Sequence, residues 1–162
     1  MRLNLEDKYT IKLPIIKELV AHRGFLEITK SSPKEHLEAL EQLARYFMRE
    51  FKYDGIQFCS NEHIGKHVEY HGFVFTESAC GAMKEGDSVT PTIFLGGGCF
   101  RKRNHKDGEH WWLDWVWIHP YARNKGLLTK RIKYFKEKFG KFYPEPPLSK
   151  TMKHIYDTRI NT

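Results

Sequence analysis

The residues best suited to chemistry gather behind an aromatic run, Trp111, Trp112, Trp115, Val116, Trp117 and Ile118, in the segment Pro120-Tyr-Ala-Arg-Asn-Lys-Gly126. A β-branched, aromatic run of this kind reads as a buried strand. Pro120 ends it. Beyond Gly126, residues Leu128, Ile132, Phe135 and Phe139 recur at spacings of 4, 3 and 4, which marks one face of a helix. A strand, a short turn carrying Arg123 and Gly126, and the first turn of a helix make an anion cradle. Unpaired backbone N–H groups and the positive end of the helix dipole point at one spot. The dinucleotide fingerprint needs three glycines and the P-loop needs Gly-Lys-Ser/Thr. Here Gly126 is followed by Leu127-Leu128-Thr129, so neither applies.

Titratable groups lie close by. Asp114 is the one carboxylate inside the aromatic run. Strand alternation puts Asp114, Val116 and Ile118 on one face and Leu113, Trp115 and Trp117 on the other. Asp114 is a candidate general base, with Glu109 as its helper; the competing reading is an ion pair with Arg101 or Arg103 across a hairpin. His119 titrates near neutral pH, and its competing reading is a surface histidine. Cys59, His63, His67 and His71 are spaced by four, and one Cys with three His suits Zn2+. Gly65 and Gly72 weaken a helix there, and four successive i,i+4 ligands cannot close around one ion, so no metal is expected. The Gly96-Gly-Gly98 triplet signals a bulge or a close backbone approach.

These groups need elements to hold them. Residues 10–16 and 24–29 read as strands or a loop–strand pair. Ser32-Pro33-Lys34-Glu35 starts a helix, with Ser32 as N-cap, Pro at the first helical position and Glu at the third. The helix runs to about Glu50, burying Leu37, Leu40, Leu43, Ala44 and Phe47. Strands follow at 55–59, 72–76 and 78–83, a turn-rich loop at 84–90, and a strand at 92–103. The turn at 104–108 joins that strand to the aromatic run as a hairpin. After Pro144-Glu-Pro-Pro147, residues 148–159 read as a final helix with Ser149 as N-cap. The order gives a single α+β domain over residues 1–162.

The turn P-x-x-R-x-x-G behind a strand resembles the acetyl-CoA-binding motif of the GNAT N-acetyltransferase superfamily, Q/R-x-x-G-x-G/A. Arg123 and Gly126 fall on its first two positions. Leu128 stands where the family prefers a small residue, and either crowds the pyrophosphate or points into the core. In the tail, Ser149-x-x-Met152-x-x-Ile155-Tyr156 resembles the last family helix. There an Asn or Ser is followed seven positions later by a Tyr, often the acid that reprotonates the leaving CoA thiolate. The family's following Gly-Phe is Asp157-Thr158 here. The resemblance spans residues 92–156 and reaches the N-terminal half in layout only.

This resemblance implies a GNAT-like mixed, mostly antiparallel central sheet flanked by helices, and an acetyl-CoA-dependent N-acetyltransferase. The cofactor site it implies comprises Arg123, Ser149 and the backbone amides of Asn124, Lys125, Gly126, Leu127, Leu128 and Thr129. The Ile118 backbone would pair with the pantetheine arm. Tyr156 would be the acid and Asp114 the base or amine anchor. Small amines, peptide N-termini, protein lysines and aminoacyl-tRNA all stay open as acceptors.

Composition bounds the partners. A chain of 162 residues with 40% hydrophobic content buries about two-thirds of its unfolded surface in one domain. No apolar run reaches the ~20 residues of a membrane span, and the N-terminus lacks a signal-peptide core. Three cysteines, an odd number without paired spacing, suit reduced thiols. The expected location is cytoplasmic. From residue 120 onward eleven Lys and Arg face three acids, a balance of +8, whereas the first 119 residues carry sixteen against seventeen. The plain reading is a solvated helix face formed by Lys130, Arg131, Lys133, Lys136 and Lys138. The functional readings are attraction of CoA, or of an acidic macromolecule such as RNA. A non-catalytic basic nucleic-acid-binding protein on a similar fold is the rival from another class; it would use the aromatics for stacking, where the plain reading packs them in the core. The oligomeric state stays open, a dimer included.

Overall fold

The computed structural model describes residues 11–19, 24–60 and 69–162. Strands β1 (Ile15–Ile16) and β2 (Phe25–Ile28) precede helix α1 (Lys34–Phe51). Strands β3 (Tyr70–Ser78), β4 (Thr92–His105) and β5 (Gly108–Ile118) follow, then α2 (Ile132–Phe139), β6 (Phe142–Pro144) and α3 (Lys150–Ile155). The sheet runs β2-β3-β4-β5-β6, and β1 takes the part of the β4 edge that β5 leaves uncovered. Every pairing is antiparallel except β5 with β6. The hairpin closes at His105 opposite Gly108. This is the mixed, mostly antiparallel α+β sheet flanked by helices that the sequence implied.

Each face of the sheet is covered. On one, Ala39, Leu40, Leu43 and Ala44 of α1 pack with Val74, Phe94, Cys99, Trp115 and Trp117. On the other, Ile132 and Phe135 of α2 pack with Phe73, Phe100, Leu113 and Phe142. Phe135 sits 4.9 Å, ring to ring, from both Phe73 and Phe100. Trp115 and Trp117 are fully enclosed at 2% and 1% exposure, so these aromatics build the core. The glycine triplet has a close-approach explanation: a Cβ at Gly96, Gly97 or Gly98 would lie 2.4 Å from the carbonyl oxygen of Trp117, Phe73 or Trp115.

Local chemistry overrides several sequence expectations. Ser32 does not cap α1; its Oγ accepts the Thr29 N–H at 2.9 Å and closes the preceding turn, leaving Pro33 at the cap. Residues 55–59 form no strand, because their polar groups pair with side chains instead. Gln57 O accepts from Arg101, and neighbouring Ser60 N–H donates to Glu41 Oε2 at 2.7 Å. Phe58 alone drops into the core. The strand expected at 78–83 stops at Ser78 and gives way to a 3-10 turn, Cys80–Ala82. The helix after Gly126 starts later than expected, passing through a 3-10 turn at Thr129–Arg131. The final helix is α-helical over Lys150–Ile155 and widens to a π-turn over Tyr156–Ile160. Of the proposed zinc cluster, His63 and His67 lie outside the described residues. Cys59 is in the loop and His71 in β3, so these two share no helix.

The cysteines give a direct check on this packing. Cys99 is fully buried and its thiol is pushed up to about 12 by burial, whereas Cys80 is exposed. Because only thiolates react, a thiol reagent at neutral pH should modify Cys80 quickly and half-buried Cys59 more slowly. Cys99 should stay silent until denaturant is added. Cys99 reacting at the rate of Cys80 in the native protein would contradict its place under α1.

Candidate active site

Beyond β5 the chain makes a tight turn whose backbone faces outward. His119 caps a short 3-10 turn, Pro120–Ala122, by accepting the Tyr121 N–H on Nδ1 at 3.2 Å, with the two rings stacked 5.4 Å apart. His119 is 9% exposed, so the surface reading fails. Asn124 and Gly126 then adopt left-handed backbone, φ 62° and 73°, a region open to Asn and easiest for Gly. Gly126 O accepts from Lys130 N–H at 3.0 Å and from Thr129 Oγ1 at 3.2 Å, which curls the turn into the following helix. The N–H groups of residues 124 through 128 make no hydrogen bond to any described residue. Leu128 is buried among Ile132 and Phe135, so the bulky residue at the third motif position points into the core and leaves the cradle clear.

Beneath the cradle lies a clamp that sequence reasoning missed. Arg123 Nε donates to Ile118 O at 2.7 Å, and its two terminal nitrogens reach Glu50 Oε1 at 2.8 Å and Oε2 at 2.5 Å. Trp117 Nε1 donates to the same Glu50 Oε2 at 2.7 Å. The motif arginine therefore spends its charge inward, tying turn, strand and α1 together, and the outward face of the cradle is backbone. Glu50 is 2% exposed. One signal was available: Glu50 falls seven residues after Leu43 and three after Phe47 on the apolar stripe of α1. A carboxylate in that row must be buried, and a buried carboxylate needs a cation.

The strand edge beside the cradle is open. β6 pairs with β5 only from Trp111 to Leu113, and Glu145 N–H then takes Leu113 O at 2.9 Å. The Trp115 and Trp117 carbonyls press on Gly98 and Gly96 of β4. Alternation along the strand turns the backbone groups of Val116 and Ile118 the other way, past the end of β6. β5 and β6 thus part beside the cradle, leaving a slot edged by the backbone of Val116 and the Ile118 N–H, with Ile118 O held by Arg123.

A bulge marks the base of that slot. The β4–β5 register jumps from Cys99 opposite Trp115 to Phe100 opposite Leu113, leaving Asp114 unpaired in the ladder. The bulge breaks the expected alternation: Leu113 packs with Val116 and Ile118 on the α2 side, and Trp115 and Trp117 on the α1 side. The Asp114 side chain is 2% exposed, with Oδ1 on Arg103 and Oδ2 3.3 Å from Arg101 Nε. Arg103 also reaches Glu145 at 2.9 Å. Burial pushes the Asp114 carboxyl above its ordinary value against the opposing pull of the two arginines. The ion-pair alternative is thus realised. Glu109 stands apart at the hairpin end, 3.9 Å from Lys102.

The tail residues sit on the α2 side. Ser149 Oγ caps α3 by accepting Met152 N–H at 3.1 Å. Tyr156 packs half-buried against the α2-side core beside Met152 and Ile155. No hydrogen bond or ring contact joins it to Asp114 or to the turn. A cavity of about 410 Å³ flanks the turn on its other side, lined by Leu13, Thr76, Leu95, His119, Tyr121 and Lys125 among others. Thr76 Oγ1 is buried there without a hydrogen-bond partner among the described residues. A larger hollow of about 530 Å³, beside His71, Trp111 and Phe139, lies at the far end of β5 from the turn.

No protein-family model matches the chain, and no curated protein matches it in sequence. Solved structures do. A probable acetyltransferase superposes with a TM-score of 0.51 at 14% identity, covering 83% of this chain and 86% of that one. An aminoglycoside acetyltransferase from an uncultured soil metagenomic sample reaches 0.49 at 15% identity, over 82% of each chain. The ribosomal-protein-alanine N-acetyltransferase of Brucella melitensis biovar Abortus 2308 reaches 0.44 at 13%, over 82% of this chain and 88% of that one. The likeness to the first shows the fold, a GNAT-like α+β scaffold. Among the described residues no helix is long and apolar enough to cross a membrane.

Proposed function

We propose that the protein moves an acyl group, acetyl in the simplest case, from CoA to an amine. The observation that carries this reading is the row of unbonded N–H groups at 124–128 beside the edge of β5 at Val116 and the Ile118 N–H, which β6 leaves uncovered while Ile118 O is held by Arg123. The row suits a pyrophosphate, and the edge suits the amides of a pantetheine arm, which would add to β5 as a short strand. A thioester delivered along that edge comes to rest near the Asp114 bulge.

Each group then has a task. The amine nitrogen attacks the thioester carbon, and a backbone N–H of the open edge steadies the oxyanion. Asp114 anchors the amine or takes its proton through Oδ2, which is ion-paired with Arg101 at 3.3 Å but accepts no hydrogen bond from a described residue. As the C–S bond breaks, Tyr156 supplies a proton to the thiolate, an approach that requires the CoA sulfur to reach the α3 side. Arg123 holds the cradle from below, and Ser149 keeps α3 in register. Small amines, proteins and aminoacyl-tRNA remain the acceptor classes, and Lys125 and Lys130 at the turn favour an acidic one.

An acceptor panel with labelled acetyl-CoA tests the activity. Absence of any stabilisation by CoA or acetyl-CoA, joined to salt-sensitive RNA binding, would favour the non-catalytic nucleic-acid-binding reading. Within the proposed mechanism, Tyr156→Phe should leave the CoA-induced thermal shift intact and slow turnover by roughly 10²-fold or more. Unchanged turnover removes Tyr156 from the mechanism.

A further inference from the structure

The β4–β5 hairpin carries a constellation that acyl transfer does not use. His105 ends β4, Asp107 stands in the two-residue turn, and His110 lies near the start of β5. Asp107 Oδ1 is 2.7 Å from His105 Nδ1 and 3.0 Å from His110 Nε2. One donor atom from each residue lies within 4.8 Å of the other two.

The rings are held from outside the hairpin. His105 stacks on Tyr143 of β6 at 5.2 Å and 17°, and tilts against Trp112 at 5.8 Å. His110 meets Tyr143 edge-on at 5.5 Å and 86°. Such backing fixes ring direction, as outer contacts do around metal-binding histidines. Two strands pin the donors and a third strand aims them.

We propose that His105, Asp107 and His110 bind one divalent transition-metal ion, with Zn2+ the best match. Two imidazoles and a carboxylate suit Zn2+, Ni2+ or Cu2+, whereas Mg2+ and Ca2+ call for oxygen ligands throughout. Ligand bonds of about 2.0–2.2 Å around Zn2+ set neighbouring donor atoms roughly 3.3 Å apart in a tetrahedron. The two contacts to Asp107 Oδ1, at 2.7 and 3.0 Å, would open by roughly 0.6 and 0.3 Å to reach that spacing, and the two imidazole donors already lie within 4.8 Å of each other. With side chains 34%, 61% and 21% exposed, the remaining coordination faces water. The site lies roughly 30 Å from the phosphate cradle, at the other end of β5, and stands whether or not CoA binds.

The test uses tag-free full-length protein, stripped with chelator and titrated calorimetrically with Zn2+ alone. One equivalent should bind. Affinity should fall at least tenfold in both His110→Ala and Asp107→Asn, with circular dichroism unchanged because the hairpin tip is exposed. Excess Mg2+ should not compete. Absence of saturable Zn2+ binding overturns the proposal. So does full affinity in the His105→Ala/His110→Ala double variant, which would put the ion on other histidines such as His63 and His67.

Discussion

Glu50→Ala should destabilise the protein by about 3 kcal/mol, the lower end of the cost of breaking a buried ion pair. The carboxylate is 2% exposed and holds three donors: two nitrogens of Arg123 and the Trp117 indole N–H. Removing it strands the indole N–H in the core and leaves the guanidinium with a single partner, Ile118 O. Arg123 is 34% exposed, so water relieves part of its loss and keeps the estimate from the upper end. The reverse change, Arg123→Met, should cost at least as much, since the abandoned charge is then the fully buried one. A Glu50→Leu/Arg123→Met double variant should recover part of the loss, because neither charge remains unpaired. Urea midpoints for the three variants measure this. A loss below roughly 1 kcal/mol in Glu50→Ala, the range of exposed pairs, would show that the clamp bears no weight. CoA binding should weaken in both single variants, because the clamp fixes where the turn leaves the strand.

That clamp shows where the sequence could be read and where it could not. The cradle was legible because its parts are adjacent: the apolar run, Pro120, Gly126 and the stripe from Leu128 lie within one stretch and obey local rules. The Leu128 ambiguity needed the fold, since only the packing of α2 decides which way that side chain turns. Glu50 was hidden by distance, being 73 residues from its partner Arg123. Period-two alternation placed Asp114 on the wrong face because one bulge inverts the pattern, and bulges carry no simple sequence mark. Ser32 misled in the opposite sense: its type was right for a cap, but a nearer donor, Thr29 N–H, claimed it. His105, Asp107 and His110 went unremarked because two histidines and an aspartate in a turn look unexceptional until Tyr143 is seen behind them.

Gly126→Glu should abolish stabilisation by CoA while leaving a folded protein. At a hundredfold excess over its dissociation constant, CoA should stabilise the unaltered protein by about 2.7 kcal/mol, read as a rise in Tm. Two separable effects act in the variant. Any side chain at φ 73° meets left-handed strain of about 1–2 kcal/mol, and its Cβ would sit 3.3 Å from Thr129 Oγ1 and 3.5 Å from Lys130 Cε. The glutamate then adds a negative charge where, on the acyl-CoA reading, the unbonded N–H groups would meet the phosphates. Gly126→Ala carries the strain without the charge and isolates it. Both variants should lose similar stability without ligand, yet only Gly126→Ala should retain a measurable CoA shift. If Gly126→Glu keeps the full shift, the phosphates do not lie on this turn, and the acyl-CoA reading loses the observation that carries it. If both variants lose it equally, backbone geometry rather than charge governs the cradle. In that case the Asn124 position, the other left-handed residue of the turn, becomes the more sensitive place to probe.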